Sequence, residues 1–147
     1  MFRPVRLLCA LAAIALTAAA APAQTFRPYT TSAGGQAGQL TGVPNNFFEP
    51  AVKVGGVVTE LPQPADWYGY AYCLSSGANV AGGYSYLPDG SRLATVWLND
   101  GSGWVMDRAF DFTPLGYFFA YPYAAYNDGS VLMMGYTYTG RVEYFVW

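Results

Sequence analysis

The sequence predicts an all-β protein, and three observations carry that expectation. The 147 residues are 53% apolar and 18% aromatic but only 11% charged, so the chain has surface to bury and cannot be read as a solvated, disordered tail. Its apolar and aromatic residues recur with period two, and no window of helical length carries a 3.6-residue stripe. Aspartate–glycine pairs punctuate the alternating runs, where a glycine lets the backbone take the positive φ of a tight hairpin.

Residues 1–23 read as a secretory leader. Arg3 and Arg6 supply the positive start, residues 7–16 (LLCALAAIAL) the apolar middle, and Ala21-Pro22-Ala23 the small-x-small pattern before a cut near Gln24. The expected destination is the periplasm or the cell exterior. Past the leader, five basic residues face nine acidic ones, too few to build a phosphate-neutralising stripe, so nucleic acid is excluded as a partner. Cys73 is then the lone cysteine, which precludes an internal disulfide framework and is expected to be a buried, inert thiol. In the run Trp67 to Cys73 it is expected on the strand face of Gly69 and Ala71.

Residues 24–50 are rich in Gly, Thr, Gln and Pro without sustained periodicity and are expected to form a loose segment, with Phe47 and Phe48 docking on the folded part. Residues 51–147 carry the alternation. The predicted strands are 54–60, 67–73, 79–86, 93–98, 104–112, 117–126, 131–138 and 142–147, rich in the aromatic and β-branched residues that suit pleated surfaces. Hairpins are predicted at Asp89-Gly90-Ser91, Asp100-Gly101-Ser102 and Asp128-Gly129-Ser130.

Self-comparison divides the eight strands into two units. Gly83-Tyr84-Ser85-Tyr86 recurs as Gly135-Tyr136-Thr137-Tyr138, and Ala94-Thr95-Val96-Trp97 answers Tyr144-Phe145-Val146-Trp147. Upstream, Gly56-Val57-Val58 answers Gly103-Trp104-Val105. The expected organisation is two four-stranded antiparallel meanders, about residues 51–98 and 99–147. Their arrangement is left open between a compact sandwich or barrel and propeller-like blades that several copies of the chain close together, since a propeller needs 4–8 blades.

The stretch from Ala125 through Gly135 to Thr137, followed by Tyr144-Phe145-Val146-Trp147, resembles the extracellular HAF repeat family of exported bacterial proteins. Units of that family contain Ala-Ile-Asn-x-x-Gly-x-Val-Val-Gly-x-Ser and end in Ala-Phe-Leu-Trp. The first copy shows the same pattern from Ser75 to Ser85 and again at Leu93 to Trp97. The chain departs from it in lacking a His-Ala-Phe triplet, in one extra residue before the glycine and in having two units. The resemblance implies a propeller-like or stacked β-repeat outside the cell and brings no catalytic residue with it.

The residue inventory points away from catalysis. With no histidine, imidazole cannot act as base or metal ligand. No serine stands in a Gly-x-Ser-x-Gly elbow, and no calcium loop of the Asp-x-Asp-x-Asp-Gly type occurs. Asp107 and Asp111, four apart on a strand, would lie about 13 Å apart, wide for a glycosidase pair. No enzyme, metal or cofactor is therefore expected. The aromatics carry the functional signal. There are 13 tyrosines, more hydroxyls than two sets of strand faces readily bury, so some edges should reach solvent and offer stacking surfaces to sugar rings. The candidate ligand-binding residues are Trp67, Tyr68, Trp104, Tyr121 and Tyr123. A polysaccharide or cell-surface polymer is the expected partner. The alternatives are a structural protein that assembles with copies of itself and a small outer-membrane β-barrel.

Overall fold

The computed structural model describes residues 23–42 and 48–147, so the leader and Phe47 lie outside the described residues. Among the described residues, eleven strands form three antiparallel sheets. The first contains β1 (Thr25–Ser32), β2 (Gly35–Thr41), β3 (Glu49–Val54) and β4 (Val57–Glu60) in that order. The second contains β5 (Tyr68–Leu74), β6 (Val80–Tyr86), β7 (Arg92–Asn99) and β8 (Trp104–Phe110). The third contains β9 (Tyr117–Ala125), β10 (Val131–Thr137) and β11 (Val142–Val146), and a single 3-10 turn at Thr113–Leu115 leads into it. No sheet closes on itself, so the barrel named among the expected arrangements is not the observed packing.

The strand positions after β4 follow the alternation of the sequence closely. The aspartate turns do as well. Gly90, Gly101 and Gly129 have φ of 84°, 97° and 92°. In each turn the aspartate Oδ1 accepts the backbone N–H of the serine two residues on. The serine hydroxyl and N–H together hold the Asp100 and Asp128 carboxyls below their ordinary range, and the Ser91 N–H does most to hold Asp89 there.

Two expectations need correction. The segment expected to be loose contains β1 and β2, paired from Thr25–Thr41 to Ser32–Gly35. Its residues are too polar and glycine-rich to show a clean alternation, because much of its burial comes from the neighbouring sheet rather than from its own side chains. The strand expected at 54–60 is instead the second arm of a hairpin. Gly55 and Gly56, at φ 57° and 86°, fold the apolar run back so that Val54 faces Val57.

The sheets stack face to face, with the second in the middle. Between the first and second lies a core in which small and medium side chains surround one indole: Ala37, Val52 and Leu61 against Ala71, Leu74, Ala81 and Trp97. The buried Trp97 indole donates through Nε1 to the Pro62 carbonyl at 2.7 Å. Between the second and third, Val80, Ala94 and Val96 meet Ala120, Val131 and Met133, with Phe112 closing one end. Each fully buried Val, Leu or Met contributes roughly 1.5–3 kcal/mol relative to exposure. Arg108 of β8 ties the second interface further, donating through Nη2 to the carbonyls of Gly129 and Trp147 while its guanidinium lies 4.9 Å from the Trp147 ring centre.

A glycine holds the equivalent ladder position in the second strand of every sheet. Gly38 lies between Pro28 and Ala51, Gly83 between Ala71 and Thr95, and Gly135 between Ala120 and Glu143. The first sheet thus shares this ladder glycine with the other two. The sequence repeat runs out of phase with the sheets. The repeated units coincide with β4–β7 and β8–β11, whereas the sheets are cut between β4 and β5 and between β8 and β9.

The hairpins joining first to second strands are also in mutual contact. A Cβ on Gly34, in the β1–β2 turn, would come within 2.3 Å of the Ser75 carbonyl oxygen in the β5–β6 turn. That turn is latched to the next by Asn127, whose Oδ1 accepts from the Gly77 N–H at 2.8 Å and whose carbonyl accepts from Asn79 Nδ2 at 2.8 Å. Replacing Gly34 with Ala should therefore destabilise the protein by about 1–3 kcal/mol, a fall of about 4–12 °C in thermal midpoint for a chain of this size. A thermal melt by circular dichroism checks it; a loose amino-terminal segment would leave the midpoint unmoved.

Candidate functional site

Where the first strands of the three sheets meet, aromatic rings form a continuous seam. Tyr29 of β1 lies 5.4 and 5.5 Å, centre to centre, from Tyr70 and Tyr72 of β5. Tyr84 of β6 touches Tyr70 and Tyr72 edge-on at 5.8 and 5.7 Å. Tyr72 reaches Tyr121 of β9 at 6.0 Å, Tyr84 reaches Phe119 at 5.6 Å, and Tyr121 stacks on Tyr136 of β10 with 21° between planes. Tilted and edge-to-face pairs of this kind add about 0.5–1.5 kcal/mol each beyond the area they bury. Period-two alternation places these side chains together, because Tyr70, Tyr84 and Ala94 are aligned across the ladder of the second sheet.

The hydroxyls along the seam have unequal fates. Tyr29 donates to Gln39 Oε1 at 2.7 Å, the Tyr70 and Tyr86 hydroxyls are 3.0 Å apart, and Tyr121 points its hydroxyl at Met134 Sδ at 3.5 Å. The Tyr84 hydroxyl is buried with no hydrogen-bond partner among the described residues. Desolvation pushes the phenol pKa of Tyr70 and Tyr84 well above the ordinary value, and that of Tyr29 and Tyr121 upward as well. All four therefore stay neutral at physiological pH and present rings and hydroxyls rather than charge.

The candidate residues divide into four places. Tyr68 stacks on Tyr86 at 5.0 Å with 7° between planes, and Phe48 bridges it to Tyr70, so Tyr68 and Tyr121 belong to one seam. Phe48 thus docks on the sheets as expected. Trp67 directly precedes β5 and is half-buried; its carbonyl accepts from Gln63 Nε2. Tyr123 is 56% exposed and meets Tyr144 edge-on on the outer face of the third sheet. Trp104 lies apart, packed against the core between the first and second sheets. The seam also contains Tyr29, Tyr70, Tyr72, Tyr84, Phe119 and Tyr136, which the candidate set omits although the same alternation marks most of them.

Beside the seam, a cavity of about 250 Å³ opens between β7, the start of β9 and the segment joining β8 to β9. Its wall includes Arg92, whose guanidinium carbon lies 3.8 Å from the ring centre of Phe119 and 5.0 Å from that of Tyr84. Asp111 also borders it; its Oδ1 accepts the N–H and hydroxyl of Thr113, which lowers its pKa. Among the described residues no group of three His, Cys, Asp or Glu side chains comes together around a metal position.

Cys73 is buried, as expected, but not on the expected face. A bulge at Tyr72 shifts the register between Ala71 and Cys73, so the thiol turns away from Ala71 and toward Gly82, whose carbonyl it approaches at 3.7 Å. A Cβ on Gly82 would sit between Cys73 Sγ at 2.9 Å and Pro122 Cβ at 2.7 Å, which places the thiol against the third sheet. Burial pushes its pKa up to about 12.

No family model matches this chain, and no significant match exists among curated proteins or solved structures. The fold and site together define an all-β protein of stacked sheets with an aromatic seam across them.

The Cys73 geometry yields a direct check. In native protein at pH 8, iodoacetamide should alkylate this thiol on the order of a thousandfold more slowly than a free cysteine. Labelling should become rapid and complete in guanidinium. Mass spectrometry before and after denaturation reads both.

Proposed function

We propose that this chain is an exported, non-catalytic β-repeat protein that binds an extracellular polysaccharide through its aromatic seam. The observation that carries the reading is the run of touching rings from Tyr29 through Tyr70, Tyr72 and Tyr84 to Tyr121 and Tyr136. Several members keep accessible edges, Tyr29 at 42% among them, and Tyr123 and Tyr144 add exposed rings on the third sheet. Rigid rings with neutral hydroxyls suit sugars, whose C–H faces stack on them while their hydroxyls take the phenolic hydrogen bonds. The leader-like residues 1–23 and the resemblance to exported HAF repeats support delivery outside the cell.

Self-assembly is a second reading, favoured by one specific observation. On β11 the alternate residues Val142, Tyr144 and Val146 are exposed, at 47%, 58% and 67%, on the outer face of the third sheet. The corresponding face of the second sheet is covered by the third. In this reading that face stacks on another copy of the chain and extends a propeller-like series.

Glycan-array binding by the secreted form of the chain tests the first reading. Tyr121→Ala should lower affinity about tenfold, a loss in keeping with about 1–3 kcal/mol per stacking ring. Trp104→Ala, removed from the seam, should lower thermal stability and leave affinity of the folded fraction unchanged. Absence of glycan binding from a protein that elutes as a defined oligomer by light scattering would favour assembly instead.

A further inference from the structure

Arg92 stands apart from the other cations because two ring faces hold its guanidinium at the border of a cavity. Among the described residues no ion pair or hydrogen bond engages its guanidinium, and its only contacts of note are the ring faces of Phe119 and Tyr84. Stacking on two rings restrains the plane of the fork and leaves its five N–H donors free at the edge. That edge borders the 250 Å³ cavity, which holds more than a single water and matches the reach of one sugar residue better than that of a large ligand. At its rim stand two exposed rings, Phe110 at 40% and Phe118 at 61%.

We infer that this cavity is a subsite for an anionic sugar. The Arg92 fork pairs with an oxyanion on the ring, and the phenylalanines at the rim stack on its C–H face. The inference rests on the polysaccharide reading and names its ligand class. A restrained guanidinium is the side chain best matched to a carboxylate or sulfate, because it offers two parallel N–H donors at fixed spacing and loses little freedom on binding. The other charges nearby set its limits. Asp111 borders the same cavity and opposes an anion, although the Thr113 hydroxyl and N–H occupy one of its oxygens. Asp89 lies in the turn three residues before Arg92 and is satisfied by the Ser91 N–H. With a formal net charge of −2 the chain has no long-range attraction for polyanions. Recognition must therefore come from this local geometry, and it weakens as salt screens the pair.

Isothermal titration of the secreted form with three probes tests the assignment: an oligogalacturonate, its methyl ester, and a sulfated dextran oligosaccharide. The acid should bind at least tenfold more tightly than the ester, which keeps the rings and removes the charge. Arg92→Gln should abolish that difference, while Arg92→Lys should keep part of it. Asp111→Asn, which retains an acceptor for Thr113, should tighten the acid severalfold. Phe118→Ala, at an exposed position, should leave the thermal midpoint within a few degrees of the parent and weaken acid and ester alike. Arg92-dependent binding of the acid alone identifies a uronate, and of the sulfated probe alone a sulfate ester; either supports the subsite. Equal binding of acid and ester, unaltered by Arg92→Gln, overturns the subsite and leaves the polysaccharide reading standing if Tyr121→Ala still weakens both. Binding of none of the three overturns the subsite. Only a wider glycan array without a hit would remove the polysaccharide reading as well.

Discussion

The middle sheet has two unlike sides, and the architecture follows from that asymmetry. Toward the first sheet it presents Ala71 and Ala81, whose small side chains leave room on that side for the indole of Trp97. Toward the third it presents Val80, Tyr84 and Val96, which pack beside Phe119, Tyr121 and Met133. The period of two in β5 and β6 assigns each side chain to its side. A one-residue slip of β6 would send its tyrosines into the space sized for alanine. Register is consequently specified by packing as much as by the turns.

The seam concentrates polar atoms where the environment is apolar. Four of its hydroxyls solve this locally: Tyr29 against Gln39, Tyr70 and Tyr86 by pairing with each other, and Tyr121 against a sulfur. The Tyr84 hydroxyl does not. A buried hydroxyl without a partner costs about 1–3 kcal/mol, which the rings around it must offset. The guanidinium beside it is likewise held by ring faces and, among the described residues, by no acceptor. Two donors that the fold does not satisfy thus stand close together at the junction of the second and third sheets, in a chain whose other turns and hairpins are closely bonded.

Strands and turns from β5 onward were legible because each is encoded locally. Alternation marks the strand, and Asp-Gly-Ser marks the hairpin with its own hydrogen bond. The first sheet was not legible for the converse reason. The β2 residues Gly35, Gly38 and Gln39 carry little apolar signal, and Ala37 is buried by what lies opposite rather than by its own size. Residues 54–60 read as one strand because an apolar run conceals the reversal at Gly55 and Gly56. The face of Cys73 depended on a bulge, which alternation alone cannot show. At the site, the tyrosine pattern pointed to Tyr68 and Tyr121 but could not separate seam rings from Trp104, whose placement depends on a different interface. Arg92 carried no local signal at all; only the ring faces that β6 and β9 bring to it make it distinctive.

The offset between repeat and sheet has a consequence for how such a chain can grow or be cut. The outermost strand of the second sheet, β8, is encoded at the head of the next unit, as β4 is for the first. Duplicating one unit therefore does not add a separate bead to a string. Each new copy arrives already stitched into its predecessor, lending a strand backward and borrowing the space for one ahead. Severing the gene at a unit boundary would strip an edge from one layer and strand it on the next fragment, so neighbouring layers are bound to melt as one.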